Sequence, residues 1–190
     1  MFTIAIPKGR LQDEALSFLR ERGFPINSNW ERDLIQVANG YRFILAKPTD
    51  VAVLVQEGLA QAGITGTDIL EETAPEVIRL KRLGFGFCRL ALAGPEALPQ
   101  RPWTVATRYP NLAARFLGSR DRIIILNGAV ELAPRLGLAH AIVDLVATGK
   151  TLEANGLRVI EFFLDCEAEL IANPASLSFG WEEYYEMVQL

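Results

Sequence analysis

At 190 residues, half of them apolar, the chain is long enough for one large domain or two small lobes with a sizeable core, which excludes intrinsic disorder. A net charge of −4 speaks against a nucleic-acid partner, which would call for a basic face. Two cysteines, Cys88 and Cys166, and a single histidine, His140, exclude a disulfide framework and a histidine-rich metal site and fit a reducing cytosol.

Residues 3–7 read as a strand, and Leu11, Ala15, Leu16, Phe18 and Leu19 recur at helical spacing until Gly23, so the chain opens on a βα unit whose loop is Lys8-Gly9-Arg10. A strand this early leaves no room for the basic region, apolar core and cleavage site of a signal peptide. No run approaches the ~18 apolar residues of a membrane helix, so a cytoplasmic protein without a membrane partner is expected. Residues 43–46 predict a second strand, residues 51–59 a helix with Asp50 as its cap, and residues 62–64 a third strand closing at Gly66. Residues 89–93 predict the strand that leaves this first unit, with Gly94-Pro95 and the prolines 99 and 102 marking a junction.

In the second series, residues 104–107 predict a strand, 111–117 a helix, 123–126 a strand, 130–136 a short helix and 141–146 a strand. Strands over 158–164 and 169–172 and a closing helix over 181–188 complete the chain. Alternating strands and helices predict the α/β class with largely parallel sheets, whose ligands sit beyond the carboxyl ends of the strands. Two lobes with a cleft between them follow from that layout.

The stretch from 141 to 152, AIVDLVATGKTL, is where chemistry is most legible. An apolar β-branched run carries one carboxylate, Asp144, and then breaks into Ala147-Thr148-Gly149-Lys150-Thr151 before a helical pattern resumes. Gly149 lets backbone N–H groups turn toward an anion, Thr148 and Thr151 add hydroxyl donors, and the next helix presents its positive end. A P-loop would need glycine at position 144, where Asp144 stands. A carboxylate four residues before Thr-Gly suits a sugar phosphate: the loop takes the phosphate and the acid accepts hydrogen bonds from ribose hydroxyls. An ordinary strand–turn–helix with a chance Thr-Gly is the alternative for this segment taken alone. Because the chain is acidic, the cations for an anionic ligand must be local, and Lys8, Arg10, Arg32 and Lys150 are the candidates.

Glu131, Gly137, Ala139, Ile142, Val143, Asp144, Thr148, Gly149, Thr151 and Leu152 stand at the spacing of the ATP phosphoribosyltransferase signature. Four more blocks agree in order: AIPKGRL from Ala5, GITGTD from Gly63, LGFGFCRL from Leu83 and VATRYP from Val105, and LNGAVELAP from Leu126 leads into the signature. The chain therefore resembles that family. The resemblance implies a two-lobed fold similar to type II periplasmic binding proteins, with residues 1–92 and 165–190 as lobe I and residues 93–164 as lobe II. It implies transfer of the phosphoribosyl group of phosphoribosyl pyrophosphate (PRPP) to N1 of ATP with release of pyrophosphate, the reaction that opens histidine biosynthesis.

On the same resemblance, Glu131, Asp144, Ala147, Thr148, Gly149, Lys150 and Thr151 bind PRPP, while Lys8, Gly66 and Asp68 serve ATP. Arg10 and Arg32 become the catalytic arginines, Arg10 clamping the leaving group. Mg²⁺ would travel mainly on pyrophosphate oxygens, since magnesium keeps its waters and needs few protein ligands. The short length matches family members that lack a histidine-binding domain, which implies a homodimer within a hetero-oligomer whose other subunit resembles histidyl-tRNA synthetase and brings histidine sensitivity. Tyr109 either stacks on a ligand or packs, and His140 is expected to pack near the loop without reacting. The family often has a carboxylate in place of His140 and arginines in place of Glu169 and Pro174, and the basic residues that often follow are replaced by GWEEYY. Another PRPP-dependent transferase and a non-catalytic two-lobed binding protein are the competing readings, because fold alone does not separate them.

Overall fold

The computed structural model describes residues 1–27, 30, 33–179 and 181–189, with Trp181 described in its backbone alone. The chain forms two compact units: Met1–Leu70, Ala74–Gly86 and Glu167–Leu190 make one, and Glu71–Thr73 with Phe87–Cys166 the other. In chain order the strands are β1 (Phe2–Pro7), β2 (Ile35–Ala38), β3 (Tyr41–Ala46), β4 (Ala62–Gly66), β5 (Ile78–Arg82), β6 (Cys88–Gly94), β7 (Thr104–Thr107), β8 (Arg122–Ile125), β9 (Ala141–Val146), β10 (Arg158–Cys166) and β11 (Ala168–Ala172). The helices are α1 (Gln12–Glu21), α2 (Pro48–Gln56), α3 (Thr67–Thr73), α4 (Pro110–Phe116), α5 (Leu132–Arg135), α6 (Lys150–Ala154) and α7 (Trp181–Val188).

The first unit is built on a six-stranded sheet in the order β2-β3-β1-β4-β11-β5. β1 is buried along its whole length and runs parallel to β3 and β4 on its two sides, which explains why its sequence is a continuous apolar run rather than an alternating one. The core joins Ile4, Ile6, Phe43, Ile64 and Leu170 from the sheet to Leu16 and Leu19 of α1 and to Tyr184 and Met187 of α7. α2 lies so close to β4 that a Cβ on Gly63 would come within 2.8 Å of Val51 and 2.9 Å of Val55. Asp50, expected as the cap of α2, sits instead in its first turn behind Lys47 at the N-cap and Pro48. Proline is pre-set for the first helical position, and an acid in the first turn still favours the helix dipole.

The second unit carries a five-stranded sheet in the order β10-β6-β9-β7-β8. β7 is parallel to β8 and β9, while β6 is antiparallel to β9 and β10. One of its core clusters gathers small residues, Ala91, Ala93, Ala106 and Ala133, around Ile142, Val146, Leu152 and Leu157, and Leu90, Leu92, Leu112 and Val143 are buried as well. β10 is an edge strand whose pairing with β6 shifts register twice, between Val159 and Glu161 and again between Phe162 and Leu164. Phe163, at the second shift, stacks on Phe116 with ring centroids 4.6 Å apart.

Both sheets are mixed, not largely parallel as expected. Parallel neighbours need a crossover of a dozen or more residues. β2 and β3 are joined by Asn39-Gly40 alone, and β11 is antiparallel to both β4 and β5. β6, read from the sequence as leaving the first unit, pairs wholly within the second sheet. Among the described residues, no helix is long and apolar enough to cross a membrane.

Candidate functional site

In the second unit the site is built on two adjacent parallel strands. The register pairs Thr107 of β7 with Val143 of β9, so the residues that follow, Arg108 and Asp144, fall side by side. Thr107 fixes this junction: its hydroxyl donates to the Val143 carbonyl at 2.6 Å and accepts from the Tyr109 N–H at 2.9 Å. Arg108 donates from Nε to Oδ1 of Asp144 at 3.2 Å and from Nη2 to Oδ2 at 3.3 Å. The Leu145 N–H donates to Oδ1 at 2.8 Å.

Asp144 is a buried charged residue. Burial pushes its pKa above the usual carboxylate range, the charge and hydrogen bonds of Arg108 and the Leu145 N–H pull the other way, and Glu131 adds to the rise. The net direction is up, because desolvation of the charged form outweighs two long contacts.

A pocket of 260 Å³ opens here, lined by Arg108, Glu131, Asp144, Ala147, Thr148, Gly149 and Thr151 among others. Gly149, the N-cap of α6, has φ of 80°, and a Cβ there would meet nothing within 4 Å. Glycine is needed for the backbone turn, then, not for lack of space. Glu131 stands at the N-cap of α5, where its side chain makes no capping hydrogen bond, and it lines the pocket. Lys150 does not line that pocket, and it is exposed.

His140 is not near the loop, contrary to expectation. It precedes β9, and its Nδ1 accepts the Thr104 N–H at 2.9 Å, whereas the loop follows the other end of a six-residue strand, roughly 20 Å away at the usual rise. Tyr109 is buried and packs. Arg108 is the residue that sequence reasoning passed over, because its meeting with Asp144 depends on a register between segments 36 positions apart.

In the first unit, Lys8 and Arg10 follow β1. Lys8 donates its N–H to Ala46 O at 2.7 Å, and Arg10, in a 3-10 turn over Gly9–Leu11, donates from Nη1 to Gly86 O at 2.6 Å. Gly66 ends β4 and Asp68 lies in the first turn of α3. A Cβ on Gly66 would fall 2.1 Å from Asp68 Oδ1, so the buried carboxylate occupies the space that any other residue at 66 would need. Arg32 lies outside the described residues.

Glu169 of β11 ties this turn down. It accepts the Thr67 hydroxyl at 2.7 Å and Arg79 in two-pronged fashion, Nε at 2.7 Å and Nη2 at 2.6 Å. Burial alone would raise its pKa, but the hydrogen bonds of Arg79 and Thr67, with the charges of Arg79 and Arg82, outweigh it and hold the carboxyl below its ordinary value. The acid that departs from the family pattern thus has partners in this chain. Pro174 opens a 3-10 turn over Pro174–Ser178, capped by the Asn173 side chain. Cys88 and Cys166 are buried thiols that form no disulfide. Among the described residues, no group of three or more His, Cys, Asp or Glu could hold a metal ion.

Comparison with known proteins gives concordant likenesses. The family model described as ATP phosphoribosyltransferase matches residues 47–190. An ATP phosphoribosyltransferase of Geobacillus sp. (strain WCH70) is 42% identical over 197 positions, covering 99% of this chain and 96% of that protein. One from Aquifex aeolicus is 45% identical over 186 positions, covering 93% and 86%. Among solved structures, the ATP phosphoribosyl transferase (HisG:HisZ) complex from Thermotoga maritima aligns with a TM-score of 0.87 at 31% identity, over 100% of this chain and 97% of that one. The periplasmic aliphatic sulphonate binding protein of Escherichia coli aligns with a TM-score of 0.62 at 11% identity, over 97% and 68%, a likeness of fold alone.

Proposed function

The chain belongs to the ATP phosphoribosyltransferase family, and from that premise we propose that the pocket beside β9 is where PRPP binds. The enzyme transfers the phosphoribosyl group of PRPP to N1 of ATP and releases pyrophosphate, the first step of histidine biosynthesis. The observation that carries the proposal is the convergence of Asp144, Glu131 and the loop residues Ala147, Thr148, Gly149 and Thr151 on one pocket.

The 5′-phosphate is held by the hydroxyls of Thr148 and Thr151 and by N–H groups of the loop from Ala147 through Gly149 and Lys150. Asp144, acceptor-only when ionised, takes the ribose hydroxyls, and Glu131 faces the same sugar. Lys8, Gly66 and Asp68 serve ATP, with Asp68 held in place over Gly66. Arg10 and Arg32 steady the pyrophosphate. Mg²⁺ fits as an ion that arrives on pyrophosphate: the pocket offers two carboxylates, enough to complement a substrate-borne magnesium, and the ion supplies neutralisation of phosphate charge.

The bond from C1 to the pyrophosphate oxygen breaks with its electron pair leaving on pyrophosphate, and the lone pair of adenine N1 forms the new bond to C1. N1 carries no proton to remove, so the site needs positioning and charge stabilisation rather than a general base. A low-identity likeness to periplasmic binding proteins adds nothing in favour of a solute receptor. The Thermotoga maritima structure is a two-component complex, which supports a hetero-oligomer with a regulatory subunit here; our reading makes this a cytoplasmic assembly in which a homodimer of this chain joins a subunit similar to histidyl-tRNA synthetase.

Titration of Thr151→Ala with each substrate tests the site. Hydrogen bonds to charged groups contribute about 1.5–3 kcal/mol, so PRPP affinity should fall tenfold or more on that scale while ATP affinity holds. Equal losses for both ligands would remove the loop from the PRPP site.

A further inference from the structure

We propose that Arg108 binds the pyrophosphate of PRPP, held beside the ribose by its ion pair with Asp144. The proposal rests on the reading that this pocket takes PRPP. Arg108 is the one cationic side chain among the described residues lining the pocket, where it faces two carboxylates. Within the pocket lining, that guanidinium is the side-chain charge that attracts a polyanion entering beside Glu131 and Asp144. The side chain is 46% exposed while that of Asp144 is 8%, so the cation is the member of the pair that reaches solvent and ligand.

The pair itself is loose. Its contacts of 3.2 and 3.3 Å exceed the ~2.7–2.9 Å of a strong charge-assisted bond. Asp144 orients the guanidinium through Nε and Nη2.

Position selects which phosphate Arg108 serves. The 5′-phosphate lies at the end of the sugar held by the loop. The hydroxyls that Asp144 accepts lie on the opposite edge, next to C1, the carbon that carries pyrophosphate. Arg108 comes from β7, the neighbouring strand, and meets Asp144 rather than the loop. As the bond from C1 to oxygen breaks and its electron pair moves to pyrophosphate, a planar guanidinium already in place neutralises the growing charge without reorganising.

Calorimetric titration of the full chain with PRPP and with ribose 5-phosphate, which lacks only the pyrophosphate, separates the roles. Arg108→Ala should weaken PRPP tenfold or more, the scale of a lost bond to a charged group being about 1.5–3 kcal/mol, and should leave ribose 5-phosphate nearly unchanged. Arg108→Lys, which keeps the charge but not the fork, should recover part of the PRPP affinity and guards against misfolding of the alanine variant. Thr151→Ala should weaken both ligands. Equal losses of both ligands in Arg108→Ala, or no loss of PRPP, would overturn the proposal. If Thr151→Ala changes neither ligand, the pocket reading fails, and the role of Arg108 falls with it.

Discussion

In each unit a buried carboxylate meets an arginine, Glu169 with Arg79 in the first and Asp144 with Arg108 in the second, and these two pairs behave in opposite ways. Glu169 receives three short bonds, 2.6 and 2.7 Å from Arg79 and 2.7 Å from Thr67, and its carboxyl is held below the ordinary value despite burial. Asp144 receives 3.2 and 3.3 Å contacts from Arg108, and its carboxyl lies above the ordinary value. Both acids are buried, so burial does not distinguish them. Distance and the number of close donors do, because a low-dielectric surrounding magnifies both a good contact and a missing one. The protein satisfies Glu169 by itself, which makes the turn after β4 a fixed part. Asp144 is left with capacity for donors that a ribose would bring.

The comparison is most directly broken through stability. Arg79→Ala strands Glu169, whose side chain is 3% exposed. Removing one partner of a buried pair costs about 3–5 kcal/mol, and the low end, ~3 kcal/mol, is expected because Arg79 itself is half in solvent. Arg108→Ala should cost far less, since its contacts with Asp144 are long and its side chain is 46% exposed. Urea midpoints of the two variants measure this directly, and equal losses would show that the pairs are alike.

Glu169→Gln should cost about 1.5–3 kcal/mol at neutral pH, the scale of bonds to a charged acceptor. Because the folded pKa of Glu169 lies below its unfolded value, that stabilisation is complete above the unfolded pKa, about 4.3, and is lost as pH falls through the folded one. Denaturation curves of parent and variant should therefore converge in acid.

Gly149→Ala should cost about 1–2 kcal/mol from the left-handed backbone alone, with no steric term because the space is open. Thermal unfolding reads this, and PRPP titration reads the accompanying loss in the loop.

The smallest effect, and the one of opposite sign, belongs to Asp144→Asn. Its folded pKa is raised, so the native protein gains stability as pH falls through that pKa toward the unfolded value, about 3.9. At neutral pH the charge is a burden, and the asparagine variant should be at least as stable as the parent while turning over PRPP more slowly. Its advantage should disappear below about pH 4, where the unfolded carboxyl is also protonated. A clear loss of stability at pH 7 would put Asp144 in the same class as Glu169.

Sequence patterns reached some parts of the molecule and not others for identifiable reasons. β7, β9 and α7 have the expected bounds, and Asp144 and the loop are legible because turn chemistry and a β-branched run are local signals, whereas Glu131 is reached only through the family resemblance. β2 went unread although Asn39-Gly40, with φ of 47° and 85°, is the dipeptide that a tight hairpin prefers. β5, Ile-Arg-Leu-Lys-Arg, is half-exposed at an edge, so its charges disguise it. α3 has only seven residues, too few for helical periodicity to show. Strand direction was misjudged because it follows from connections, and the arginine partners escaped because Arg79 meets Glu169 across 90 positions. Pairings of that kind are a property of the folded sheet rather than of any segment.

The two register shifts in β10 have a consequence for how the molecule behaves in a crowd. An unbroken nine-residue edge with Ile160 and Phe162 outward would be a template for strand-to-strand stacking with other chains. The shifts leave regular runs of only Arg158–Val159, Glu161–Phe162 and Leu164–Cys166, and each one bends the strand and raises its twist. An incoming strand would lose register after two or three residues. This border of the sheet is thus guarded against fibre growth by its geometry, with its apolar side chains left in place.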